Sequence, residues 1–403
     1  MKFSKVSQLG LVSTLGLLVA TLLSGCMIVT IDYVYVACST GTSAGSAGQI
    51  QVFAADAESG ALRMVDKAVS SGGTQPVALA TTSDYENLYA ANAGNKTVVH
   101  FTIAGDGSLT QKDSVTLPFT PSSLAVNLAG TYLYVVGGNN PGQLAVYSLS
   151  SGTIGSVAAT ETLTVPGFTS DLIAPTGVTV LNNGNAVYVA AYDQSAYNPN
   201  GTVTSSANPG WVFGYSVGSN GALTPASGSP YQAGVKPSAI TADPTNRFVY
   251  TTDYASNQMI GYTIESGSVL EFLVSGPAKT GNQPSSLAID PRGIYIYVAN
   301  SLSSTVSAYS ISLPTGSPST VVAATGSANN QTDSEPVSLI IDPSLGRFVY
   351  TANYLGNSIS GFRLNPDTGA LTATQATPYP TGANPAALVA IPHGNHAVQT
   401  VTP

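Results

Sequence analysis

Charged residues and histidine are scarce in this chain of 403 residues. Asp, Glu, Lys and Arg together make up 8% of the sequence, and there are three histidines. Twelve basic residues stand against twenty acidic ones, so the formal charge is −8. Nucleic-acid binding normally requires a basic footprint, so this balance excludes nucleic acid as an expected partner. Anionic metabolites are disfavoured for the same electrostatic reason.

Strong helix formers and cysteine are also sparse. Glu, Lys, Arg, Leu and Met are rare relative to Val, Ala, Thr, Tyr, Ser and Gly, and the chain contains 41 Gly and 25 Pro. This composition favours many short strands joined by tight turns, so we expect an all-β protein with almost no helix. Of the two cysteines, Cys38 is expected to be a small buried residue on the first strand rather than a reactive thiol.

The N-terminal segment has the layout of an export signal. Lys2 and Lys5 are followed by an apolar stretch from Leu9 to Leu23 and then by Leu-Ser-Gly-Cys, which ends at Cys26. The apolar stretch is too short for a comfortable membrane span. The last four residues resemble the bacterial lipobox, whose cysteine carries diacylglycerol. The alternative is an ordinary secretory signal with a chance cysteine.

We therefore predict a lipoprotein signal peptide over residues 1–25, lipidation at Cys26, a tether over 26–30 and a single domain over 31–403. Several acyl chains on one cysteine give stable membrane anchoring. The protein is expected in the bacterial cell envelope, on the extracytoplasmic face of the outer or the cytoplasmic membrane. The short tether would keep the domain close to the lipid.

Seven segments of the chain share one pattern: an apolar strand that begins with Pro, a turn, a strand that carries a Tyr, a polar loop, a third alternating strand and a ragged fourth. The clearest copies begin at Pro284 and Pro336. The Tyr recurs at intervals of 45 to 62 residues, close to the length of one four-stranded propeller blade. These marker tyrosines are Tyr35, Tyr89, Tyr134, Tyr188, Tyr250, Tyr297 and Tyr350.

The first copy of the pattern lacks its Pro-led strand. The chain enters at a second strand, IDYVYVACS from Ile31, and a matching first strand, PAALVAIP from Pro385, stands at the other end. We therefore predict a seven-bladed β-propeller of four-stranded antiparallel blades, closed by pairing the N- and C-terminal strands. The segment HAVQTV from His396 also has the pattern of a second strand and competes for the place of residues 31–39.

The repeat contains short motifs that resemble a known family. YVAN, YTAN, YAAN and YTTD end the Tyr-bearing strands, and TGALT or NGALT stands at blade ends. These motifs are similar to the YVTN-type repeat of the lactonase-like propellers, which include bacterial 6-phosphogluconolactonases and muconate-lactonising enzymes. The resemblance covers residues 31–392. It implies the seven-bladed fold and offers lactone hydrolysis as a candidate activity.

Lactone hydrolysis needs a base to activate water and donors or cations to hold the developing oxyanion. The innermost strands contain no charged residue or His before their turns, and Arg247, Arg292 and Arg347 follow Asp-Pro turns on the face opposite to the usual ligand face. His100 is expected to pack between blades rather than to act as a base. The basic residues near the ligand face are Lys96, Lys236 and Lys279. We assign no catalytic residue and expect no metal ion or other cofactor.

The ligand face of a propeller is formed by the loops between second and third strands and by those that enter each first strand. Four Asx residues occupy one equivalent position at this face, at the end of the Tyr-bearing strand: Asn92, Asp253, Asn300 and Asn353. Tyr254 and Tyr354 follow two of them. One interpretation is that the Asx side chains cap tight turns. The other is a ring of hydrogen-bonding, ligand-binding groups around the channel mouth.

One loop of this face is much longer than the others. It begins after the strand of Tyr188 and contains Tyr192, Asp193, Tyr197 and, at its end, Trp211, the only Trp of the chain. Long loops in compact repeats are often binding elements, and aromatic rings beside carboxylates and amides suit sugar rings. The alternative is a solvated insertion in which Trp211 starts a strand.

Three functions therefore remain open. The leading hypothesis is a monomeric, membrane-anchored module that binds a glycan, a peptide or a protein on its loop face. The alternative is a lactone hydrolase that resembles 6-phosphogluconolactonase. The third is a structural protein of the cell envelope.

Overall fold

Seven antiparallel sheets follow one another around a central axis and form a seven-bladed β-propeller. This computed structural model describes residues 29–43, 45–65, 67–167, 172–195, 197, 209–322 and 329–394. The predicted all-β fold is confirmed, and the one helical element of the described residues is a single 3₁₀ turn, Ser266–Ser268. Cys26 and the segment from His396 lie outside the described residues.

Within each blade the strands follow one another from the central axis outward, and in five blades the outermost strand is broken into two pieces. Blade 1 has Ala383–Pro392, Thr30–Ser39, Ala47–Asp56 and the pair Leu62–Met64 and Val69–Thr74. Blade 2 has Pro76–Thr81, Asn87–Asn92, Thr97–Ile103 and Leu109–Thr116, and blade 3 has Pro121–Val126, Tyr132–Gly137, Gly142–Ser150 and Thr153–Leu163.

The remaining blades repeat the same order with short outer pieces. Blade 4 has Ile173–Val180, Ala186–Asp193, Gly210–Val217 and the pair Leu223–Pro225 and Tyr231–Gln232. Blade 5 has Pro237–Ala242, Phe248–Asp253, Gln258–Ile264 and the pair Leu270–Phe272 and Ala278–Lys279. Blade 6 has Pro284–Ile289, Tyr295–Asn300, Thr305–Ile311 and the pair Pro318–Thr320 and Asn329–Gln331; blade 7 has Pro336–Ile341, Phe348–Asn353, Ser358–Leu364 and the pair Leu371–Ala373 and Tyr379–Pro380.

The two ends of the chain meet in blade 1. The strand Thr30–Ser39 pairs antiparallel with Ala383–Pro392, with Tyr35 opposite Val389 and Asp32 opposite Pro392. The predicted closure of the ring by its terminal strands is therefore confirmed. Because Asp32 lies opposite the end of the innermost strand, the chain enters blade 1 on the face that carries the Asp-Pro turns.

The innermost strands surround a central cavity of about 270 Å³ that is lined by small and aliphatic side chains. Serine hydroxyls tie neighbouring inner strands together at one end of it. Ser122 donates to the carbonyl of Pro175 at 2.7 Å, and Ser238 and Ser285 make the same bond to Pro284 and Pro336 at 2.6 Å. The channel is thus held by hydrogen bonds between blades as well as by packing.

The marker tyrosines hold each blade to the next. Their strands are buried on both faces between adjacent blades, and six of the seven hydroxyls donate to a backbone carbonyl in a turn of the following blade. Tyr250 reaches Gly316 at 2.6 Å and Tyr297 reaches Gly369 at 2.8 Å. Both glycines have φ near 70°, a left-handed conformation that suits glycine. The repeated Tyr is therefore a structural residue.

Removal of one such hydroxyl should lower the free energy of unfolding, and Tyr134 provides a control within the same chain. In Tyr297→Phe the free energy of unfolding is expected to fall by about 1 kcal/mol, because a buried hydrogen bond is lost. Tyr134 is equally buried, but its hydroxyl has no hydrogen-bond partner among the described residues, so Tyr134→Phe should be neutral or slightly stabilising. Urea unfolding of both variants checks this, and equal losses would contradict the proposed role of the bond.

The face with the Asp-Pro turns is built by carboxylate caps. Asp290 accepts the backbone N–H groups of Ile294 and Tyr295, both at 2.8 Å, and its other oxygen lies 2.7 Å from Nε of Arg292. Asp290 thus caps its turn and also pairs with Arg292. Arg292 also lies over the Tyr295 ring, 5.5 Å from its centroid, and is therefore held at this face.

No helix in the described part of the chain is long and apolar enough to cross a membrane.

Candidate functional site

The residue before the proline of each innermost strand stands at the mouth of the channel, on the face opposite to the Asp-Pro turns. Lys236 and Glu335 are the only charged residues at these seven positions. They belong to blades 5 and 7, and Gln283 of blade 6 stands between them. The complete mouth ring is Gln75, Thr120, Ala174, Lys236, Gln283, Glu335 and Asn384.

A repeated backbone hydrogen bond determines which residue lies beside a mouth residue. The carbonyl of Lys236 accepts the N–H of Tyr254 at 2.9 Å, and the carbonyl of Glu335 accepts the N–H of Tyr354 at 2.8 Å. The donor in each case follows the Asx residue that ends the second strand. The predicted ligand residues Tyr254 and Tyr354 are therefore placed at the mouth by the repeat itself.

The Asx residues are themselves buried. The Asp253 carboxylate accepts the backbone N–H groups of Val235 and Lys236, both at 3.0 Å, as well as that of Ala255 at 3.2 Å. It is fully buried, and so are Asn92, Asn300 and Asn353. Asp253 thus caps a turn and holds the loop that carries Lys236, as the turn-capping interpretation predicts. Ligand binding by these four side chains stays a prediction.

Three of the predicted ligand residues converge on one lysine. The ammonium nitrogen of Lys236 lies 4.4 Å from the ring centroid of Tyr254, 4.8 Å from that of Tyr197 and 5.5 Å from that of Tyr192. The rings of Tyr192 and Tyr197 also meet edge to face at 5.7 Å. We call these four residues the Lys236–tyrosine cluster. It joins the long loop of blade 4 to the mouth of blade 5.

The surroundings of the cluster shift the pKa values of Lys236 and Tyr254. Partial burial lowers the pKa of the Lys236 ammonium below its ordinary value, whereas the negative faces of the three rings favour the charged form. Burial raises the pKa of Tyr254, and the charge of Glu335 raises it further. A titratable group that is shifted in this way in a cleft is a candidate for function.

Gln283 of blade 6 stands between Lys236 of blade 5 and Glu335 of blade 7 in the order of the mouth ring. The Tyr254 hydroxyl donates to Oε1 of Gln283 at 2.7 Å. Gln283 and Glu335 line the same cavity of about 300 Å³, between blades 6 and 7, with Leu302. No ion pair joins Lys236 and Glu335 within the described residues.

A larger cavity of about 550 Å³ opens on the other side of Tyr192, between blades 2, 3 and 4. Its lining contains Lys96, Asn139, Gln143 and Gln194. Asn139 donates to Gln194 at 3.0 Å, and Gln194 donates to the Tyr192 hydroxyl at 3.5 Å. The cavity and the Lys236–tyrosine cluster therefore share Tyr192 and form one continuous mouth.

Two predicted ligand residues of the long loop lie apart from this cluster. Asp193 is buried and accepts the N–H and the hydroxyl of Ser195 at 2.8 and 2.6 Å, so it shapes its own turn. Trp211 starts the third strand of blade 4, opposite Ala191, and packs against the hydrophobic cluster between blades 3 and 4. The long loop thus contributes its first part to the mouth and its last residue to the blade.

The interpretation of His100 as a packed residue is confirmed. It is 2% exposed, its Nδ1 lies 2.7 Å from Asp113 and its Nε2 lies 2.8 Å from Oδ1 of Asn87. Its ring stacks on that of Tyr89. Cys38 is likewise buried, and burial raises its thiol pKa to about 11, as expected for an unreactive residue. Neither residue belongs to the mouth.

Sequence reasoning did not identify Gln283 and Glu335, and it placed Lys236 only near the ligand face. The signal that finds them is positional, because each precedes the proline of an inner strand. In the described part of the chain, no group of three or more His, Cys, Asp or Glu side chains could hold a metal ion. The site is thus built from an ammonium, a carboxylate, an amide and tyrosine hydroxyls.

The fold and this mouth define a seven-bladed propeller with a polar, aromatic ligand face. The family model described as "Lactonase, 7-bladed beta-propeller" matches residues 25–119 and 96–398, and the chain belongs to this family. No curated protein matches the chain.

Solved structures with the same fold include two bacterial propellers. The periplasmic gluconolactonase PpgL of Pseudomonas aeruginosa has a TM-score of 0.74 and 17% identity, over 91% of this chain and 100% of that one. A putative 6-phosphogluconolactonase of Bacteroides uniformis has a TM-score of 0.72 and 17% identity, over 90% and 100%. At these identities the likeness establishes the shared fold.

Proposed function

We propose that this protein hydrolyses sugar lactones at the mouth between Lys236 and Glu335. The observation that carries the proposal is the placement of an ammonium and a carboxylate on one rim, separated by Gln283 and unpaired with each other. Membership of the lactonase propeller family supports the reaction class, and the gluconolactonase among similar folds supports a sugar lactone as the substrate.

The proposed chemistry uses one charged group at each step. The Glu335 carboxylate takes a proton from water as the water oxygen attacks the lactone carbonyl carbon. The Lys236 ammonium holds the oxyanion that forms. When the intermediate collapses, the bond between the carbonyl carbon and the ring oxygen breaks, and the ring oxygen takes the proton from Glu335. The product is the open-chain sugar acid.

The charges of the mouth favour an unphosphorylated substrate. Arg247, Arg292 and Arg347 all belong to the Asp-Pro turns on the opposite face. Lys236 is the one cation of the mouth ring. A phosphoryl group is normally held by several cations or by a bidentate Arg, and this rim supplies neither.

The test is hydrolysis of D-glucono-δ-lactone by the full chain in detergent, followed as acid release in a pH-stat. We expect turnover above the spontaneous rate, a preference over the phosphorylated lactone, and a loss of about a hundredfold in Glu335→Gln because the base is removed. Glu271→Gln, on the outer strand of blade 5, is the control. Folded protein that gives no rate above background would contradict the proposal.

A glycan-binding module is the second candidate, and the Lys236–tyrosine cluster favours it. Sugar rings stack their apolar faces on aromatic side chains while their hydroxyls are hydrogen-bonded. This candidate predicts saturable calorimetric binding of oligosaccharides that is weakened in Tyr254→Ala, without turnover of any lactone.

We further propose that the protein is anchored through Cys26, with its mouth turned away from the membrane. The described chain starts at Val29, and Thr30–Ser39 begins on the Asp-Pro face. The few residues between Cys26 and Thr30 would hold that face against the lipid. The periplasmic relative supports an extracytoplasmic location.

Cys26→Ala should therefore abolish lipid labelling of the protein. The acyl chains would be attached at this cysteine, and several acyl chains on one residue give stable membrane anchoring. Radioactive palmitate labelling and fractionation of cell envelopes measure this. Unlabelled wild-type protein would contradict the anchor, and Cys38→Ala is the matched control.

A further inference from the structure

We infer that the cavity between blades 2, 3 and 4 is a second sugar subsite, and that the preferred substrates are lactones of disaccharide acids. This inference rests on the proposed function, because it extends the ligand of the Lys236 and Glu335 rim. The lactone ring would lie at that rim, and the second sugar would lie beyond Tyr192.

The size of the cavity supports the assignment. At about 550 Å³ it falls in the range of sites that enclose a drug-sized ligand, and it exceeds what one sugar ring needs. It is continuous with the rim, because Tyr192 lines it and also contacts Lys236. A ligand that reaches from Glu335 past Lys236 would therefore enter it.

The chemistry of the lining points to a neutral polyhydroxylated group. Amide side chains dominate its polar part, Phe119 and Tyr192 provide apolar ring surfaces, and the lining contains no carboxylate. Amides donate and accept, so they suit hydroxyl groups, whereas a single Lys96 is too little charge for a phosphate.

The unused hydrogen-bonding groups of the lining are the strongest indication. Gln143 stands on the third strand of blade 3 and points into the cavity, and its amide makes no hydrogen bond within the described residues. Asn140 and Lys96 also line the cavity and are exposed to solvent. These polar side chains can hydrogen-bond the hydroxyl groups of a sugar ring.

The test compares two lactones on the full chain: D-glucono-δ-lactone and cellobiono-δ-lactone, whose second ring is the only difference. We expect kcat/KM to be about tenfold higher for the disaccharide, as two or three added hydrogen bonds would give. In Gln143→Leu this ratio should fall towards one. Gln111→Leu, on the exposed outer strand of blade 2, should keep the wild-type ratio.

The outcomes separate the subsite from the reaction. Turnover of both lactones with a ratio near one, or a high ratio that Gln143→Leu and Asn140→Ala leave intact, would overturn the subsite and leave the proposed function standing. Absence of all turnover would overturn the function, and calorimetry with cellobionate then decides the subsite. Binding that weakens in Gln143→Leu would support it, and binding that is absent or unchanged would overturn it.

Discussion

Lys236→Met is expected to lower kcat/KM for D-glucono-δ-lactone by about a hundredfold, the usual loss when one oxyanion donor is removed. Methionine keeps the length and the contacts with the three tyrosine rings, so the fold should be undisturbed. The removed element is the ammonium group, which lies 4.4 to 5.5 Å from the ring centroids of the cluster. Lys112→Met, on the exposed outer strand of blade 2, is the matched control.

The pH profile distinguishes a charged Lys236 from a merely structural one. Because burial lowers its pKa, the wild-type rate should fall on the alkaline side at a pH below the ordinary 10.5 of lysine. Lys236→Arg retains its charge throughout this range, so the activity that it keeps should not fall there. An identical alkaline limb in both proteins would contradict the role assigned to the ammonium.

Asp32→Asn is expected to stabilise the protein at alkaline pH, by an amount that grows between about pH 4 and pH 8. Asp32 lies at the seam where blade 1 packs on blade 7, and it is fully buried beside Asp342 and Ser344. Burial, and then the charge of Asp342, raises its pKa from 3.8 to about 8. The folded state therefore holds a proton that the unfolded chain has already lost.

The sign of the effect follows from linkage. A group whose pKa is raised by folding leaves stability intact below the unfolded pKa and lowers it as the pH rises through the folded pKa. The full shift corresponds to a ceiling of about 6 kcal/mol, at roughly 1.4 kcal/mol for each pKa unit. Asparagine imitates the protonated acid, so the variant should lose this slope.

Urea unfolding at about pH 5 and about pH 9 measures the effect, with Asp342→Asn as the contrasting variant. Asp342 accepts the backbone N–H groups of Leu345 and Phe348, among others, at 2.8 and 2.7 Å. Its replacement should therefore destabilise the protein at both pH values. Equal pH slopes for wild type and Asp32→Asn would refute the raised pKa of Asp32 in the folded protein.

The fold was predictable because each blade repeats the same pattern of a buried strand that carries a marker Tyr. The marker Tyr sits on a strand that is buried on both faces, and in six of the seven blades its hydroxyl donates to a carbonyl of the next blade, so the residue recurs wherever a blade does. The missing first strand of blade 1 could be found at Pro385 because it repeats the Pro-led apolar pattern of the other first strands. The place of the segment after His396 was not decidable from such a pattern, and it lies outside the described residues.

The site was predictable only in part. Tyr192, Tyr197 and Tyr254 do converge, because the aromatic residues of a long loop and of a strand end share one face. The four Asx residues share that strand end too, but the last position of a buried strand points between blades rather than towards solvent. A residue pattern shows which face of a strand a side chain is on, but it does not show whether the end of the strand is buried. Asp253 and its equivalents could therefore not be distinguished from mouth residues.

Lys236 and Glu335 needed the three-dimensional arrangement for another reason. They belong to repeats two blades apart, and their relation depends on Gln283 and Tyr254, which stand between them in space. The repeat aligns them only when all seven inner strands are superimposed. Charged residues are scarce in the whole sequence. The two at mouth positions therefore stand out once the mouth ring is known.

The acetylation rate of Lys236 tests most directly whether the ligand binds against this lysine. Mass spectrometry would follow acetylation of Lys236 and Lys112 by acetic anhydride in the full chain, with and without D-gluconate, the product of the proposed reaction. We predict severalfold protection of Lys236 by gluconate and none of Lys112. Equal acetylation of Lys236 in the presence and absence of gluconate would contradict the placement of the site.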